Sequence, residues 1–277
     1  MTRLGDVCAI RYGKDHKKLS DGSIPTYGSG GIMRYVDTAI CEQPSVLIPR
    51  KGTLGNLFYT DEPFWTVDTL FWTDIDQTKI VPKYLYYQLK QKDLASYNVG
   101  TAVPSLTVEV LNEIDLDVPS IDKQRRIVEV LNSFDSKIAL NNQLNDYLEQ
   151  LVDGKFQELF GGLNFNATLS DVAEITMGQS PAGSSYNEEG AGIIFYQGRG
   201  EFGWRFPKRR LYTTEPKRLA CEGDVLMSVR APVGDLNVAF ENCCIGRGLA
   251  AIHSETPSFA LYLMRFLKPQ LEAYNGE

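Results

Sequence analysis

Residues 120–160 read SIDKQRRIVEVLNSFDSKIALNNQLNDYLEQLVDGKFQELF, and this stretch decides the fold. Its side chains follow a heptad pattern, with a and d positions spaced alternately by four and three residues. The pattern predicts one long helix that packs along another helix rather than onto a round core. The predicted seam positions are Ile127, Leu131, Phe134, Ile138, Asn141, Asn145, Leu148, Val152, Lys155 and Leu159.

The ends of this helix are marked by residues that stop or cap helices. Pro119 stops the preceding segment, and Ser120 suits the N-cap. Asp122 lies in the first turn, where the helix dipole favours an anion. The pair Gly161-Gly162 supplies the backbone freedom needed at the C-terminal end. A helix of roughly 40 residues spans about 60 Å, so it can hold two modules at a fixed distance.

The segments on either side of the helix look like two versions of one domain. Residues 4–7 (LGDV) correspond to residues 169–172 (LSDV). Residues 50–57 (RKGTLGNL) correspond to residues 230–236 (RAPVGDL). The repeat period is roughly 165–180 residues, which indicates a duplicated domain rather than a solenoid.

The predicted fold class is α+β, with two similar mixed domains separated by a long coiled-coil-forming helix. We expect a first domain at 1–119, the helix at 120–160 and a second domain at 161–277. No second long helix follows the second copy, so we expect that domain to be truncated at its C-terminal end. Strands are predicted at 45–49, 55–59, 69–73, 224–229 and 236–240, and short helices at 83–91 and 259–267.

Length and composition fit this plan. The 277 residues allow about two domains, and a hydrophobic content of 43% can fill ordinary cores. No run of about 18 apolar residues occurs, so no membrane span is predicted. No signal peptide is recognised at the N-terminus. The cysteine pattern given next favours a reducing cytoplasm. The cysteines are odd in number and lack C-x-x-C spacing, so neither a disulfide framework nor a metal site is predicted, and no cofactor; they are Cys8, Cys41, Cys221, Cys243 and Cys244.

The charge distribution is more informative than the net charge of −7. Residues 199–218 contain seven basic and two acidic residues, and aromatic residues are interleaved with them. Such a mixture suits phosphate contacts and base-edge readout, although basic residues can also simply solvate a surface. The aromatic residues are Phe202, Trp204, Phe206 and Tyr212, with Phe195 and Tyr196 shortly before the segment.

The first copy also carries basic residues close to glycine-rich loops. Glycines in residues 26–31, 51–55 and 197–200 allow close approach of the backbone to a ligand, although each segment can equally be a tight turn. The basic and aromatic residues concerned are Lys14, Lys17, Lys18, Tyr27 and Arg34, together with Arg50 and Lys51, which stand where the second copy has Arg230.

Six stretches together carry a resemblance to a known family. They are 24–37 (IPTYGSGGIMRYVD), 49–55 (PRKGTLG), 64–69 (FWTVDT), 119–128 (PSIDKQRRIV), 195–199 (FYQGR) and 228–234 (SVRAPVG). Over the first copy and the helix, the chain resembles the specificity subunit of type I restriction–modification systems. The stretch 119–128 is similar to that family's junction between domain and helix. The second copy is similar to another target-recognition domain of the family.

The resemblance implies two target-recognition domains that each read one half of a split site in double-stranded DNA. It implies helices that fix the spacing and bind two methyltransferase subunits, and through them the restriction and translocase subunits. The chain departs from the family because it lacks the second helix, so self-association through the first helix is also possible. No membrane partner is expected.

The loops described above and the resemblance together predict which residues contact DNA and which lie at the helix interface. Those expected to contact DNA are Lys14, Lys17, Tyr27, Arg34, Arg50, Lys51, Thr101, Gln197, Arg199, Arg205, Lys208, Arg209, Arg210 and Arg230. Those expected at the helix interface are Ile127, Leu131, Phe134, Ile138, Leu148, Val152 and Leu159.

An enzymatic function is not predicted, and no residue is assigned a catalytic role. The chain lacks the tetrapeptide of adenine methyltransferases, a dinucleotide-binding G-x-G-x-x-G after a strand, and a P-loop. A Mg²⁺-dependent nuclease could be built from Asp6 with residues 15–17 (DHK), but the same tripeptide form recurs elsewhere in the chain. A helical assembly factor that binds no DNA is the other alternative.

Overall fold

The computed structural model describes residues 2–100, 103–230 and 232–273. The chain divides into two compact units, residues 1–140 and 141–277, so the division falls inside the long helix. Each half of that helix therefore belongs to the unit beside it in sequence. The division into a first recognition domain at 1–119, a spacer helix at 120–160 and a second recognition domain at 161–277 stays a prediction.

The first unit contains nine short strands and the start of the long helix in its described residues. The strands are β1 (Thr2–Arg3), β2 (Cys8–Tyr12), β3 (Asp21–Gly28), β4 (Gly31–Val36), β5 (Ser45–Pro49), β6 (Phe58–Thr60), β7 (Trp65–Thr66), β8 (Leu70–Ile75) and β9 (Asp115–Leu116). The helices are α1 (Leu4–Val7), α2 (Pro82–Lys90), α3 (Val108–Asn112) and α4 (Ile121–Phe160), with a 3-10 turn at Leu94–Tyr97.

Two sheets organise the first unit. One has the order β2-β8-β5-β6 and is antiparallel throughout. The other has the order β4-β3-β7, with β3 antiparallel to β4 and parallel to β7. Every residue of β5 is buried, because both faces of this strand are covered. The main core includes Leu4, Val46, Ile48, Phe71, Leu85, Leu89 and Leu111.

The second unit repeats this plan, with a longer helix after its last strand and a second sheet of five strands. Its strands are β10 (Glu174–Met177), β11 (Tyr186–Asn187), β12 (Ile193–Tyr196), β13 (Tyr212–Thr213), β14 (Leu219–Ala220), β15 (Val225–Ser228), β16 (Leu236–Val238), β17 (Cys243–Ile245) and β18 (Leu249–His253). Helix α5 spans Pro257–Ala273, and 3-10 turns occupy Leu169–Asp171, Gly183–Ser185 and Arg199–Glu201.

Strand order demonstrates the duplication that the sequence predicts. The antiparallel sheet of the second unit has the order β10-β18-β15-β16, which matches β2-β8-β5-β6 strand for strand. The second sheet has the order β11-β13-β12-β17-β14. Its parallel pair β12–β17 matches the parallel pair β3–β7. The predicted fold class, two similar mixed domains with one long central helix, is confirmed.

The first half of α4 is fixed to the first unit by a buried glutamine. Gln124 has no solvent exposure. Its Oε1 accepts from the Val81 N–H at 2.8 Å, and its Nε2 donates to the carbonyls of Lys79 (3.2 Å) and Pro119 (2.8 Å). Further along the helix, the Tyr87 hydroxyl donates to an Asp135 carboxylate oxygen at 2.5 Å.

The second half of α4 is fixed to the second unit by one arginine of α5 and by aromatic packing. Arg265 donates to Glu149 at 2.5 Å and to both carboxylate oxygens of Asp153 at 2.9 and 2.6 Å. Phe156 is 7% exposed and packs against Phe259 of α5, with ring centroids 5.7 Å apart.

Several element bounds differ from the sequence predictions. The strand predicted at 55–59 begins at Phe58, and the helix predicted at 259–267 spans Pro257–Ala273. The segment 26–31, predicted as a loop, instead lies largely in a hairpin. Pairing of Thr26 with Trp65 of β7 supplies partners for this backbone, and that contact is distant in sequence. In the described residues, no helix has the length and hydropathy of a membrane span.

Candidate nucleic-acid interface

Hydrogen bonds join the loops that carry the predicted DNA-contacting residues of the first unit. The side-chain amide of Asn56 donates to the carbonyl of Ser29 in the β3–β4 turn at 3.3 Å. The Gly52 N–H donates to the carbonyl of Pro104 at 3.0 Å. We call these joined segments the first loop cluster; it comprises residues 14–17, 28–31, 50–56 and 103–105.

Lys14 and Lys17 lie at one edge of this cluster. The backbone N–H of Lys14 donates to the carbonyl of Thr66 at 2.8 Å. Lys17 lines a cleft of about 700 Å³ together with Asp15, Ser29 and other residues of the cluster. The backbone N–H of Lys17 donates to Asp15 at 3.0 Å, which holds the pKa of this carboxyl below its ordinary value. The two lysines are therefore placed beside the hairpin turn.

Arg50 and Lys51 extend the same cluster from the end of β5. The guanidinium carbon of Arg50 lies 5.2 Å from the ring centroid of Tyr12, and its NH1 donates to the carbonyl of Asp68 at 3.2 Å. Lys51 is exposed and forms an isolated β-bridge with Ser105. Thr101, also predicted to contact DNA, lies outside the described residues.

Tyr27 and Arg34 contribute to the hairpin itself. The Tyr27 ring is half-buried and packs on Phe58 with centroids 5.9 Å apart, and burial raises the pKa of its hydroxyl. Arg34 pairs with Asp21 at 2.5 Å and donates to the carbonyl of Leu19 at 3.3 Å. Both side chains support the shape of the loop cluster, and direct contact with DNA stays a prediction.

In the second unit, the segments that carry the predicted residues Gln197 and Arg230 meet at Gly248. The carbonyl of Gln197 accepts from the Gly248 N–H at 3.2 Å, and Val229, next to Arg230, donates to the Gly248 carbonyl at 3.0 Å. A Cβ at Gly248 would lie 2.7 Å from the Gln197 carbonyl oxygen, so the close approach of these loops requires glycine. We call residues 197–200, 229–230 and 246–248 the second loop cluster.

Arg247 is exposed in this cluster and was missed by the sequence analysis. Its backbone N–H donates to the Ser180 hydroxyl at 3.2 Å. A signal was present, because the tripeptide at 246–248 is Gly-Arg-Gly, the same as the tripeptide at 198–200.

Arg199 is held by a carboxylate that also binds a lysine. Asp235 accepts from Arg199 through Oδ2 and from Lys268 through Oδ1, the latter at 2.9 Å. The bond from Lys268 and then that from Arg199 lower the pKa of the Asp235 carboxyl. The guanidinium of Arg199 is thus oriented by its own domain while half of its side chain stays exposed.

The remaining basic residues of 199–218 differ in how they are held. Arg209 pairs with Glu241 at 2.5 Å, and Arg210 pairs with Glu201 at 2.7 Å. The Glu201 side chain is only 8% exposed, so Arg210 neutralises a buried charge.

Among the residues that the structure describes, no carboxylate pairs with Arg205 or Lys208. The guanidinium of Arg205 lies 5.8 Å from the Phe206 ring centroid. Lys208 is exposed, and no carboxylate in the described ranges lies within 4.0 Å of its ammonium. The segment therefore contains arginines that are oriented by carboxylates and a lysine that is exposed and pairs with no carboxylate in the described part of the chain.

Helix α4 presents a wide apolar face to solvent. Of the predicted interface residues, Ile127 packs against the core of the first unit, and Leu131 is half-buried. The others are exposed, with Phe134 at 60% and Ile138 at 58%. Further exposed apolar residues widen this face beyond the predicted seam; they are Val130, Leu140, Leu144, Tyr147 and Leu151.

Residues 1–150 match the family model described as the type I restriction modification DNA specificity domain. This match includes more than half of the 277 residues and ends within α4. The chain belongs to this family. The resemblance noted in the sequence is confirmed at the level of the family.

Specificity subunits from other organisms are similar to the chain over stretches of different length. A Methanocaldococcus jannaschii protein named as the type I restriction enzyme MjaX specificity subunit is 35% identical over 230 residues, covering 73% of this chain and 54% of that protein. The EcoprrI specificity subunit of Escherichia coli is 29% identical over 147 residues, covering 48% of this chain and 35% of that protein. The chain thus spans about half or less of the length of these relatives.

The fold is also similar to that of a solved specificity subunit. The S subunit of a type I restriction–modification system from M. genitalium aligns with a TM-score of 0.59 and 15% identity. The alignment covers 98% of this chain and 78% of that structure. This likeness shows that the two proteins share a fold over nearly the whole chain.

Proposed function

We propose that this chain is the DNA-recognition component of a type I restriction–modification complex. Each unit reads one half of a bipartite site in double-stranded DNA, and α4 sets the spacing between the two half-sites. Methyl transfer and cleavage belong to partners: two methyltransferase subunits and, through them, the restriction and translocase subunits. The chain itself catalyses neither methyl transfer nor cleavage.

One observation carries this proposal: the same loop position is basic in both units. Strands β5 and β15 occupy equivalent places in their sheets. β5 is followed by Lys51 and β15 by Arg230, and both residues are exposed. Lysine and arginine at such positions can donate to guanine O6 and N7 in the major groove or to phosphates. Two equivalent basic loops suit two half-sites.

The anchoring of α4 supports its role as a spacer. Gln124 fixes the first half of the helix to the first unit, and Arg265 fixes the second half to the second unit. Because both anchors are polar and geometrically specific, a change of helix length between them alters the distance that the helix imposes.

The exposed face of α4 supports its role as a docking surface. Large exposed apolar patches mark interaction sites, and the heptad spacing favours a helical partner. We assign this face to the methyltransferase subunits and to a second long helix in the assembled complex. A second copy of this chain is the competing occupant.

The test uses single substitutions at the two equivalent loop positions. In the complex reconstituted with its methyltransferase subunits, Lys51→Ala is expected to relax sequence preference in one half-site only. Arg230→Ala is expected to relax preference in the other half-site, with a loss of about 1–3 kcal/mol in discrimination for each contact. Lys92→Ala, a change at a half-buried lysine outside the loop clusters, is the control.

Methylated-base sequencing of a host genome reads both half-sites at once. If Lys51→Ala and Arg230→Ala weaken methylation equally at all sites, these residues bind phosphates and do not read bases. If the wild-type chain gives no electrophoretic shift in competitor DNA and directs no methylation, the DNA-recognition proposal fails and a helical assembly role replaces it.

A further inference from the structure

A cysteine, an aspartate and a histidine of the second unit converge at a place that DNA recognition does not use. Cys221 and Asp224 lie on the turn between β14 and β15, and His253 is the last residue of β18. One donor atom from each residue lies within 4.8 Å of the donors of the other two. We propose that these three side chains form a binding site for Zn²⁺.

Backbone pairing brings the three residues together. Val225 of β15 pairs with Ile252 of β18 in antiparallel register, so the next residues outward, Asp224 and His253, face each other. The turn before β15 needs Gly223, whose φ is +89°, and it returns Cys221 to the same end of the sheet. The cluster is therefore built by the fold of the domain.

Hydrogen bonds hold the carboxylate in place between the other two residues. Asp224 is 5% exposed. Its Oδ2 accepts from the backbone N–H of Cys221 at 2.8 Å, and its Oδ1 lies 2.6 Å from Nδ1 of His253. Cys221 and His253 are both exposed, so an ion can reach the thiol and the imidazole from solvent.

The donor set selects the type of metal. Mg²⁺ and Ca²⁺ prefer oxygen ligands throughout, whereas Zn²⁺ accepts sulfur, nitrogen and oxygen together. Zinc bonds of about 2.0–2.3 Å place tetrahedral ligand atoms roughly 3.3–3.8 Å apart. Binding therefore requires the Asp224–His253 contact to lengthen and the Cys221 sulfur to approach, which are changes of about 1 Å. Three protein ligands leave the fourth position for water.

The surroundings favour a cation. His253 also lines an open cleft of about 560 Å³ beside Asp171, Glu174 and Glu255. These carboxylates are not proposed as ligands. They make the approach to His253 electronegative, which raises the local concentration of cations.

The site has a consequence for the basic segment of the second unit. Gly223, within the proposed metal-binding turn, lines the same surface groove as Arg205 and Phe206. Zinc would tie this turn to the end of β18 and thereby restrict one wall of the groove. Bound Zn²⁺ therefore stabilises the part of the second unit that carries Arg205.

The first experiment needs no variant. The metal-free chain is mixed with Co²⁺ as a spectroscopic probe and separately dialysed against Zn²⁺ alone. We expect about one ion per chain, a thiolate-to-cobalt charge-transfer band, and protection of Cys221 from maleimide by Zn²⁺. Absence of the band, or unchanged labelling of Cys221 in the presence of Zn²⁺, overturns the proposal.

Variants assign the ligands. Cys221→Ser and His253→Gln change exposed side chains, and each is expected to weaken Zn²⁺ binding by at least about tenfold. Cys41→Ser and His16→Gln, which alter a cysteine and a histidine of the first unit, are the matched controls and should bind Zn²⁺ normally. Equal zinc binding by Cys221→Ser, His253→Gln and the controls overturns the site, whatever the outcome for DNA recognition.

Discussion

At the level of single residues, the basic side chains of 199–218 divide by what holds them. Lys208 pairs with no carboxylate of the described residues, whereas Arg210 neutralises the buried Glu201. Sequence composition does not separate the two, because both are exposed basic residues in one run. Their effects on substitution should differ accordingly.

Lys208→Ala should weaken DNA binding without lowering stability. One lost phosphate contact reduces the slope of log K against log salt by about one ion and affects all sequences alike. Arg210→Ala should instead lower the free energy of unfolding, since the buried Glu201 carboxylate loses its partner. Salt titrations of DNA binding and urea denaturation measure the two effects. Equal stability loss in both variants would contradict this division.

Asp235 should make stability depend on acid pH. Its pKa in the folded state is lowered, first by Lys268 and then by Arg199, so its contribution is present above the ordinary aspartate pKa. That contribution is lost as pH falls below about 4 toward the folded-state pKa. Asp235→Asn should flatten the acid limb of the stability curve, whereas Glu42→Gln, at an exposed glutamate of the first unit, should not. If the acid limb of Asp235→Asn is unchanged, the bonds from Lys268 and Arg199 to Asp235 contribute nothing to stability.

At the level of elements, α4 depends on its anchors as well as on its own sequence. Its first turns contain Gln124, a polar residue with no exposure whose three hydrogen bonds join the helix to backbone groups of the first unit. A heptad pattern alone gives no indication of this contact.

Gln124→Leu should lower the free energy of unfolding of the chain. The substitution keeps the size of the side chain but leaves the Val81 N–H and two carbonyls without their partner, at a cost of about 1–3 kcal/mol for each group left buried. Gln143→Leu, at an exposed position of the same helix, is the control. Urea denaturation of both variants measures the difference, and a loss for Gln124→Leu no larger than for the control would contradict the anchor.

The exposed face of α4 should be needed for assembly. Phe134→Asp with Ile138→Asp places two charges on the apolar face and should abolish association with methyltransferase subunits and with a second copy. Asn142→Asp adds charge at an exposed polar position and should leave association intact. Light scattering and co-purification measure this; association that survives the double substitution would place the interface elsewhere.

The sequence predicted the elements whose signal is local. The heptad pattern placed the long helix at 120–160, within one residue of Ile121–Phe160, and the apolar run at 45–49 coincides with β5. The β3–β4 hairpin was missed because its strands depend on pairing with β7. The carboxylate partners of Arg199 and Arg209 lie more than 30 residues away in sequence, so residue spacing could not predict them.

At the level of the whole molecule, the central claim is that α4 sets the distance between two half-sites. The antiparallel sheets of the two units share one strand order, and each unit holds its own half of α4 through a polar anchor. The length of α4 between the anchors should therefore determine the number of base pairs between the two half-sites.

The most direct measurement is the spacer length after a heptad is inserted following Lys137. Seven residues keep the apolar face in phase and add about 10 Å, or about three base pairs at roughly 3.4 Å each. Every long helix that spaces the recognition domains of the assembled complex is lengthened alike. A four-residue insertion breaks the heptad phase and should reduce activity. Methylated-base sequencing should find both half-sites unchanged and a spacer about three base pairs longer. An active complex that keeps the original spacer would contradict the account.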